Sequence, residues 1–215
     1  MAGTLFVVAT PIGNLDDLSS RALRVLREAS VIAAEDTRHT RHLLERFGLT
    51  TPTTSLHEHN ERGKSARLIE RLLAGDTVAL VSDAGTPTVS DPGFELVSQA
   101  RAAGVRVEPV PGPSAVMAAL SVSGMRSDEF VFLGFPPSKG APRNRWLERA
   151  RALVGLVPTL VFYEAPHRIV QTLGDVESVL GDVELAVARE LTKTFEDVRV
   201  GRLSDVREGL TAHTG

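Results

Sequence analysis

Cysteine is missing from all 215 residues, which removes disulfides, thiolate metal sites and cysteine nucleophiles together and fits a reducing, cytoplasmic setting. Long apolar runs are missing too. The N-terminus offers only Leu5 to Ala9, with no basic leader before it, so neither a signal peptide nor a membrane span is expected. An excess of one charge is also lacking, because 24 Lys and Arg stand against 27 Asp and Glu for a formal net charge of -3. The chain as a whole has no pull on nucleic acid, so any such contact must be local. The densest local candidate is Lys139, Arg143, Arg145, Arg149 and Arg151, read first as a solvated helix face and second as a polyanion contact.

Several motifs are absent as well. No G-x-G-x-x-G or G-x-x-x-x-G-K-[ST] occurs, which removes the usual dinucleotide and phosphate cradles. G-x-S-x-G fails because Gly112-Pro113-Ser114 continues with Ala115 and Val116, so a hydrolase elbow is excluded. No repeat of roughly 20 to 50 residues is visible. A metal site is not expected, since His57 and His59 around one glutamate form a pattern that recurs by chance.

What is present describes a globular α/β protein. With 42% hydrophobic and 24% charged residues, the chain can build a core for one large or two small domains. Short β-branched runs alternate with helical patterns, which reads as mostly parallel sheet. The strand segments are Leu5 to Ala9, Val31 to Ala34, Thr53 to Leu56, Val78 to Ser82 and Val105 to Val110, then Phe130 to Leu133, Thr159 to Tyr163, Leu185 to Ala188 and Glu196 to Val200. Ser19 or Ser20 is expected to cap a helix through Ala29, and Gly48, Gly75 and Gly104 to end helices. The polar stretch Ser121 to Glu129 places the domain boundary, giving domains 1–122 and 123–215.

Ligands of open α/β sheets bind beyond the carboxyl ends of strands. Three such ends carry backbone-shaping loops: Thr10-Pro11-Ile12-Gly13-Asn14, Asp83-Ala84-Gly85-Thr86-Pro87 and Pro111-Gly112-Pro113-Ser114-Ala115. Glycine permits close approach of a ligand to the main chain and proline sets the turn, so these loops suit a small polar organic molecule. Two further ends carry acids and imidazoles, Glu35 and Asp36 after one strand and His57, Glu58 and His59 after the next. Asp36 reads equally as the N-cap of a helix beginning at Thr37. On an extended segment His57 and His59 would face opposite ways.

Taken in order, Ala9 to Leu15, Ala34-Glu35-Asp36-Thr37-Arg38, Ser55 to Glu61, Ser82 to Gly93 and Pro111 to Ala115 resemble the tetrapyrrole methylase superfamily. Gly134 to Lys139, Tyr163-Glu164-Ala165-Pro166-His167-Arg168 and Ala188 to Lys193 continue the likeness almost end to end. The Glu-Asp-Thr-Arg and His-Glu-His-Asn runs are similar to its ribosomal RNA branch, the small-subunit (16S) rRNA cytidine 2'-O-methyltransferases. Pro136 departs from the leucine common there. Members usually continue past the position of Gly215, so the resemblance implies a second domain cut short at its end.

That resemblance implies two α/β domains with S-adenosyl-L-methionine in the cleft between them. It assigns the cofactor to Pro11, Gly85, Thr86, Pro87, Val89, Ser90, Ser114, Ala115, Tyr163 and Glu190, with Ser114 opening a helix whose free amides suit the methionine carboxylate. A ribose hydroxyl needs a base or acceptor beside it, for which Glu35, Asp36, Glu58 and His57 are the candidates. Arg38, Lys139, His167 and Arg168 are the candidate RNA contacts, through phosphates or a splayed nucleotide. The expected partner is 16S ribosomal RNA, within the small subunit, and the expected assembly is the homodimer common among relatives. Two alternatives stay open: a precorrin-type tetrapyrrole C-methyltransferase, disfavoured by only ten aromatic residues, and a non-catalytic RNA-binding or ribosome-assembly protein.

Overall fold

The structure, a computed structural model, describes residues 2–211. Strands β1 (Thr4–Val8), β2 (Val31–Ala34), β3 (Thr53–Ser55), β4 (Val78–Val81) and β5 (Arg106–Val110) form one five-stranded sheet in the order β3-β2-β4-β1-β5. Every pairing in it is parallel. Helices α1 (Ser20–Glu28), α2 (Thr37–Arg46), α3 (Glu61–Leu73) and α4 (Phe94–Ala102) lie between consecutive strands, and α5 (Ala115–Val122) follows β5.

β2 and β4 are buried at every residue, as strands covered on both faces must be, and this is why they read as unbroken apolar runs. Alternate residues serve opposite faces. Leu5, Val31, Ala33, Val78 and Leu80 pack with Leu68 and Leu72 of α3 and Leu96 and Ala100 of α4. Val8, Ile32, Ala34, Ala79 and Val81 pack instead with Ala22, Val25 and Leu26 of α1 and Leu44 of α2. Each fully buried leucine contributes about 1.5–3 kcal/mol, so this three-layer arrangement supplies a rigid base for the loops above it. Ser19 caps α1 by accepting the Ala22 amide at 3.0 Å.

This strand order creates a particular place. The connection leaving β1 runs through α1 on one face toward β2, whereas the connection leaving β4 runs through α4 on the opposite face toward β5. β1 and β4 are neighbours, so their outgoing connections start side by side at the carboxyl ends and leave for opposite faces of the sheet. Open α/β sheets take their ligands at such a switch point.

The chain divides into two compact units between Ala115 and Val116. The division falls at the first residue of α5, and the polar stretch from Ser121 holds the last two residues of this helix and the turn that follows it. The second unit contains β6 (Phe130–Phe132), α6 (Gly140–Leu153), β7 (Thr159–Val161), α7 (Ile169–Leu180), β8 (Glu184–Arg189), β9 (Asp197–Arg202) and α8 (Leu203–Thr211). β6 and β7 pair in parallel, but β8 and β9 are antiparallel. The connection 190–196 is too short for the crossover that a parallel pair requires.

One basic residue of α6 proves structural. Arg143 is 6% exposed and donates to Asp175 Oδ2 at 2.6 Å, the Pro137 carbonyl at 2.9 Å and Thr172 Oγ1 at 2.9 Å. It therefore leaves the basic face to Lys139, Arg145, Arg149 and Arg151, which are exposed, and Arg151 there pairs with Glu148 at 3.2 Å.

Candidate active site

The loops after β1, β4 and β5 are stitched together at the switch point. Thr10 and Gly85 form an antiparallel bridge, with the Thr10 amide 2.9 Å from the Gly85 carbonyl and the Gly85 amide 3.1 Å from that of Thr10. Thr86 Oγ1 donates to the Pro113 carbonyl at 3.1 Å. A Cβ on Gly112 would lie 3.0 Å from that of Ala9, so glycine is what lets these two loops meet. Gly85 has φ +83°, a region favouring glycine, and its hydrogen atoms face Ile12.

The rest of the β4 loop is held in unusual backbone geometry. Thr88 and Ser90 have φ of +72° and +65°, which is a true outlier for a β-branched threonine. Such conformations cost about 1–3 kcal/mol each and collect at ligand clamps. Pro87 is buried under the loop while Val89 and Ser90 are exposed at its crest. Pro11, Ser114 and Ala115 are half-buried around the same loops. Of the ten residues assigned to the cofactor, eight thus share one rim of the first unit.

The acidic groups stand next to this rim. Glu35 directly follows β2 and Asp83 lies two residues past β4, and the ends of these adjacent strands clasp reciprocally. The Asp36 amide donates to Asp83 Oδ1 at 3.0 Å, and the Asp83 amide donates to the Glu35 carboxylate. Burial, with the like charges of Asp83, Asp91 and Asp36, raises the Glu35 pKa above the usual carboxylate range. Burial likewise raises Asp91, opposed by a hydrogen bond from Ser82. A carboxylate tuned upward is the form that serves as a proton acceptor near neutral pH.

Asp36 has the opposite character. It caps α2, accepting the Arg38 amide at 2.8 Å, and it also receives Arg38 Nε at 3.1 Å and Nη2 at 2.7 Å. These bonds hold its carboxyl well below the ordinary range, so it is a weak base and an effective cap. Arg38, open to solvent along most of its side chain, is tethered by the same pair.

β3 is the sheet edge beside β2, with Ala34 opposite Ser55, so His57 and Glu58 follow a strand end adjacent to Glu35. The two imidazoles do not alternate on an extended segment. Residues 57–60 form a turn closed by the Asn60 amide on the His57 carbonyl at 2.9 Å, and the rings meet edge to face 6.1 Å apart. Asn60 fastens the turn, since its Oδ1 accepts the His57 amide at 3.0 Å and its Nδ2 lies 2.9 Å from His57 Nε2. Glu58 is exposed.

Three residues escaped the sequence reading: Asp83, Asp91 and Glu61. In the sequence Asp83 is only the start of a loop, and the pairing of β4 with β2 is what makes it part of the acidic group. Glu61 Oε1 accepts the amides of Gly93 and Glu95 at 2.9 and 2.8 Å, so α3 anchors the start of α4 and the end of the β4 loop. Glu61→Ala should cost about 1 kcal/mol, the usual effect of losing a cap. It should also speed amide hydrogen exchange across 83–93, which a thermal melt and exchange mass spectrometry would read together.

In the second unit, Tyr163 donates its amide to the Gly134 carbonyl at 2.9 Å and packs against Phe132 and Phe135, with ring centroids 4.9 and 5.2 Å away. Glu190 has φ +51° and pairs with Lys193 at 3.0 Å. Lys139 and His167 are exposed. Arg168 is not a free cation: it donates to the Pro136 carbonyl at 2.7 Å and pairs at 3.2 Å with Glu164, whose side chain is 1% exposed.

Comparison with known proteins follows the same lines. The family Tetrapyrrole (Corrin/Porphyrin) Methylases matches residues 4–207. Ribosomal RNA small subunit methyltransferase I of Pseudomonas aeruginosa is 56% identical over 208 residues, covering 96% of this chain and 73% of its own. The protein of that name from Xylella fastidiosa is 55% identical over 206 residues, covering 95% and 74%. Among solved structures, uroporphyrin-III C-methyltransferase of Thermus thermophilus is 25% identical with a TM-score of 0.62, covering 97% of this chain and 88% of its own.

Proposed function

The chain belongs to the tetrapyrrole methylase family, and on that basis we propose that it is an S-adenosyl-L-methionine-dependent methyltransferase acting on small-subunit ribosomal RNA, at the 2'-oxygen of a cytidine ribose in the decoding region. Relatives more than half identical to it, named as small-subunit ribosomal RNA methyltransferases, support the RNA substrate. The single observation that carries the chemistry is the switch point, where glycine-tightened loops adjoin a carboxylate with a raised pKa.

The residues fit such a donor. Gly112 brings main chain close where a Cβ would crowd Ala9, Gly85 takes a φ that favours glycine, and Thr86, Pro87, Val89, Ser90, Ser114, Ala115 and Pro11 supply the surrounding rim. When bound there, the cofactor supplies an electrophilic methyl group on a sulfonium, with the thioether as leaving group. Glu35 takes the proton released as the ribose oxygen forms its new bond to carbon. Asp83 orients Glu35 through its amide, and Asp36 sets the start of α2 and holds Arg38 ready for a phosphate. His57 or Glu58 orients the nucleotide from the neighbouring strand end. Exposed Lys139 and His167 are further phosphate contacts. Most of the rate enhancement is positional, for which roughly 7–11 kcal/mol is available when reactants are correctly held.

We place this work in the cytoplasm, on the small ribosomal subunit, with the protein acting as a homodimer. The test supplies labelled cofactor and small subunits from cells lacking the modification. One cytidine should become resistant to alkaline cleavage and carry the label. Label entering a porphyrinoid while the RNA stayed blank would assign the chain to tetrapyrrole chemistry instead, and a calorimetric titration with no cofactor binding would favour a non-catalytic assembly role.

A further inference from the structure

Along α3 runs a groove that none of the residues above explains. Two contiguous depressions, of about 350 and 190 Å³, share Lys64 and Arg67; His59, Asn60 and Gly63 line one end, and Thr54 and Arg71 the other. Lys64, Arg67 and Arg71 follow at helical spacing and so form one stripe, spanning roughly 10 Å at 1.5 Å per residue. Beside them lies β3, the edge of the sheet, which turns the Thr54 hydroxyl toward the stripe.

The charges here are largely unspent. Among the described residues Arg67 has no hydrogen bond or ion pair, and the Lys64 ammonium bonds only the Thr54 hydroxyl, at 3.2 Å. Arg71 pairs with Asp76 at 2.6 Å. The acids nearby do not neutralise the stripe: Glu61 is turned onto the α4 amides, and Glu70, though on α3, has no ion pair among the described residues. In a protein with a formal charge of -3, this is a local reversal of sign.

Gly63 gives an independent indication. It sits inside the first turns of α3, where glycine costs roughly 0.5–1 kcal/mol relative to alanine. Nothing lies within 4 Å of where its Cβ would be, so no packing within the chain requires glycine there. The position makes sense if something from outside approaches the helix backbone closely.

We propose that this groove is a track for the sugar-phosphate backbone of the substrate RNA, next to the nucleotide being modified. It opens at His59 and Asn60, on the turn that follows β3, and β3 ends in register with the strand leading to Glu35. At about 3.4 Å per nucleotide along a stacked strand, the stripe matches about three residues, with Lys64 and Arg67 on phosphates and the Thr54 hydroxyl near ribose. The inference rests on the RNA reading proposed above.

The test uses small subunits lacking the modification, with Lys64→Ala/Arg67→Ala and wild type compared across salt concentrations. The double variant should bind at least about 10-fold more weakly near physiological salt, and its log-affinity slope should flatten by about 1.4, at 0.7 per phosphate on a single strand. Cofactor affinity and melting temperature should stay at wild-type values. Because the chain has no cysteine, Gly63→Cys gives a unique site for a photo-crosslinker, which should join to ribosomal RNA. Wild-type binding and slope in the double variant, or crosslinks to ribosomal protein alone, would overturn the track while leaving methyl transfer to RNA intact. Failure of the wild-type chain itself to bind or methylate the subunit would remove the functional reading, and the track with it.

Discussion

Glu35→Gln is expected to lower the methyl-transfer rate by about 100-fold to 10,000-fold, the range for losing a general base, while cofactor affinity stays within about twofold. The amide keeps an acceptor for the Asp83 main-chain amide, so the local clasp should persist. The pH profile provides a second reading. Burial and neighbouring carboxylates raise the Glu35 pKa, so wild-type activity should fall as pH drops through that raised value and the base takes up a proton. In Glu35→Gln the residual rate should not follow this limb.

The stability consequence has the reverse sign from most acids. A carboxylate whose pKa is raised on folding stabilises the native state below its unfolded pKa, and that contribution is lost as pH rises through the folded value. Glu35 and Asp91 both behave this way. Glu35→Gln should therefore melt no lower than wild type at pH 8, and higher if the charge cluster is costly there. Asp36, with its lowered pKa, contributes above the ordinary carboxylate range and loses that contribution only in acid. A Glu35→Gln protein that remained fully active, or that lost cofactor binding along with turnover, would remove Glu35 from the base role.

Gly93→Ala should be the most damaging of the single-methyl changes near the site, at about 2–4 kcal/mol. Gly93 has φ +120°, a region closed to residues with a Cβ. An added Cβ would also lie 2.7 Å from Leu80 Cδ2 and 3.4 Å from Thr88 Cγ2. Leu80 is 1% exposed and has little room to yield, so overpacking adds to backbone strain. For a domain of this size that corresponds to a fall of roughly 4–16 °C in melting temperature. Because Gly93 begins α4 where Glu61 holds it, the β4 loop should loosen as well, weakening cofactor binding. Wild-type melting and affinity in this variant would show that the turn relaxes at no cost.

The acidic candidates illustrate what a linear reading can and cannot reach. Glu35 was legible because it follows an apolar run, and a polar residue at a strand end is conspicuous. Its partners Asp83 and Asp91 were not, since 48 residues separate Glu35 from Asp83 and only the strand order makes them neighbours. Arg143 was misplaced for a related reason. Helical periodicity puts it among other cations, but Asp175, the buried Thr172 and the Pro137 carbonyl, 32 residues or fewer away, turn it inward. His57 and His59 depart from strand alternation because Asn60, three residues past His57, folds the segment into a turn.

By itself the sequence determined the alternation of strands and helices, the loops rich in glycine and proline, and the family, because local periodicity and short ordered motifs are encoded by neighbouring residues. Only the tertiary structure decided which strand ends are adjacent, and hence that β1 and β4 open a switch point, that Glu35 is raised while Asp36 is lowered, and that a basic groove accompanies the edge strand. Those outcomes depend on burial and on contacts between residues distant in the chain, and neither quantity exists until the sheet has formed.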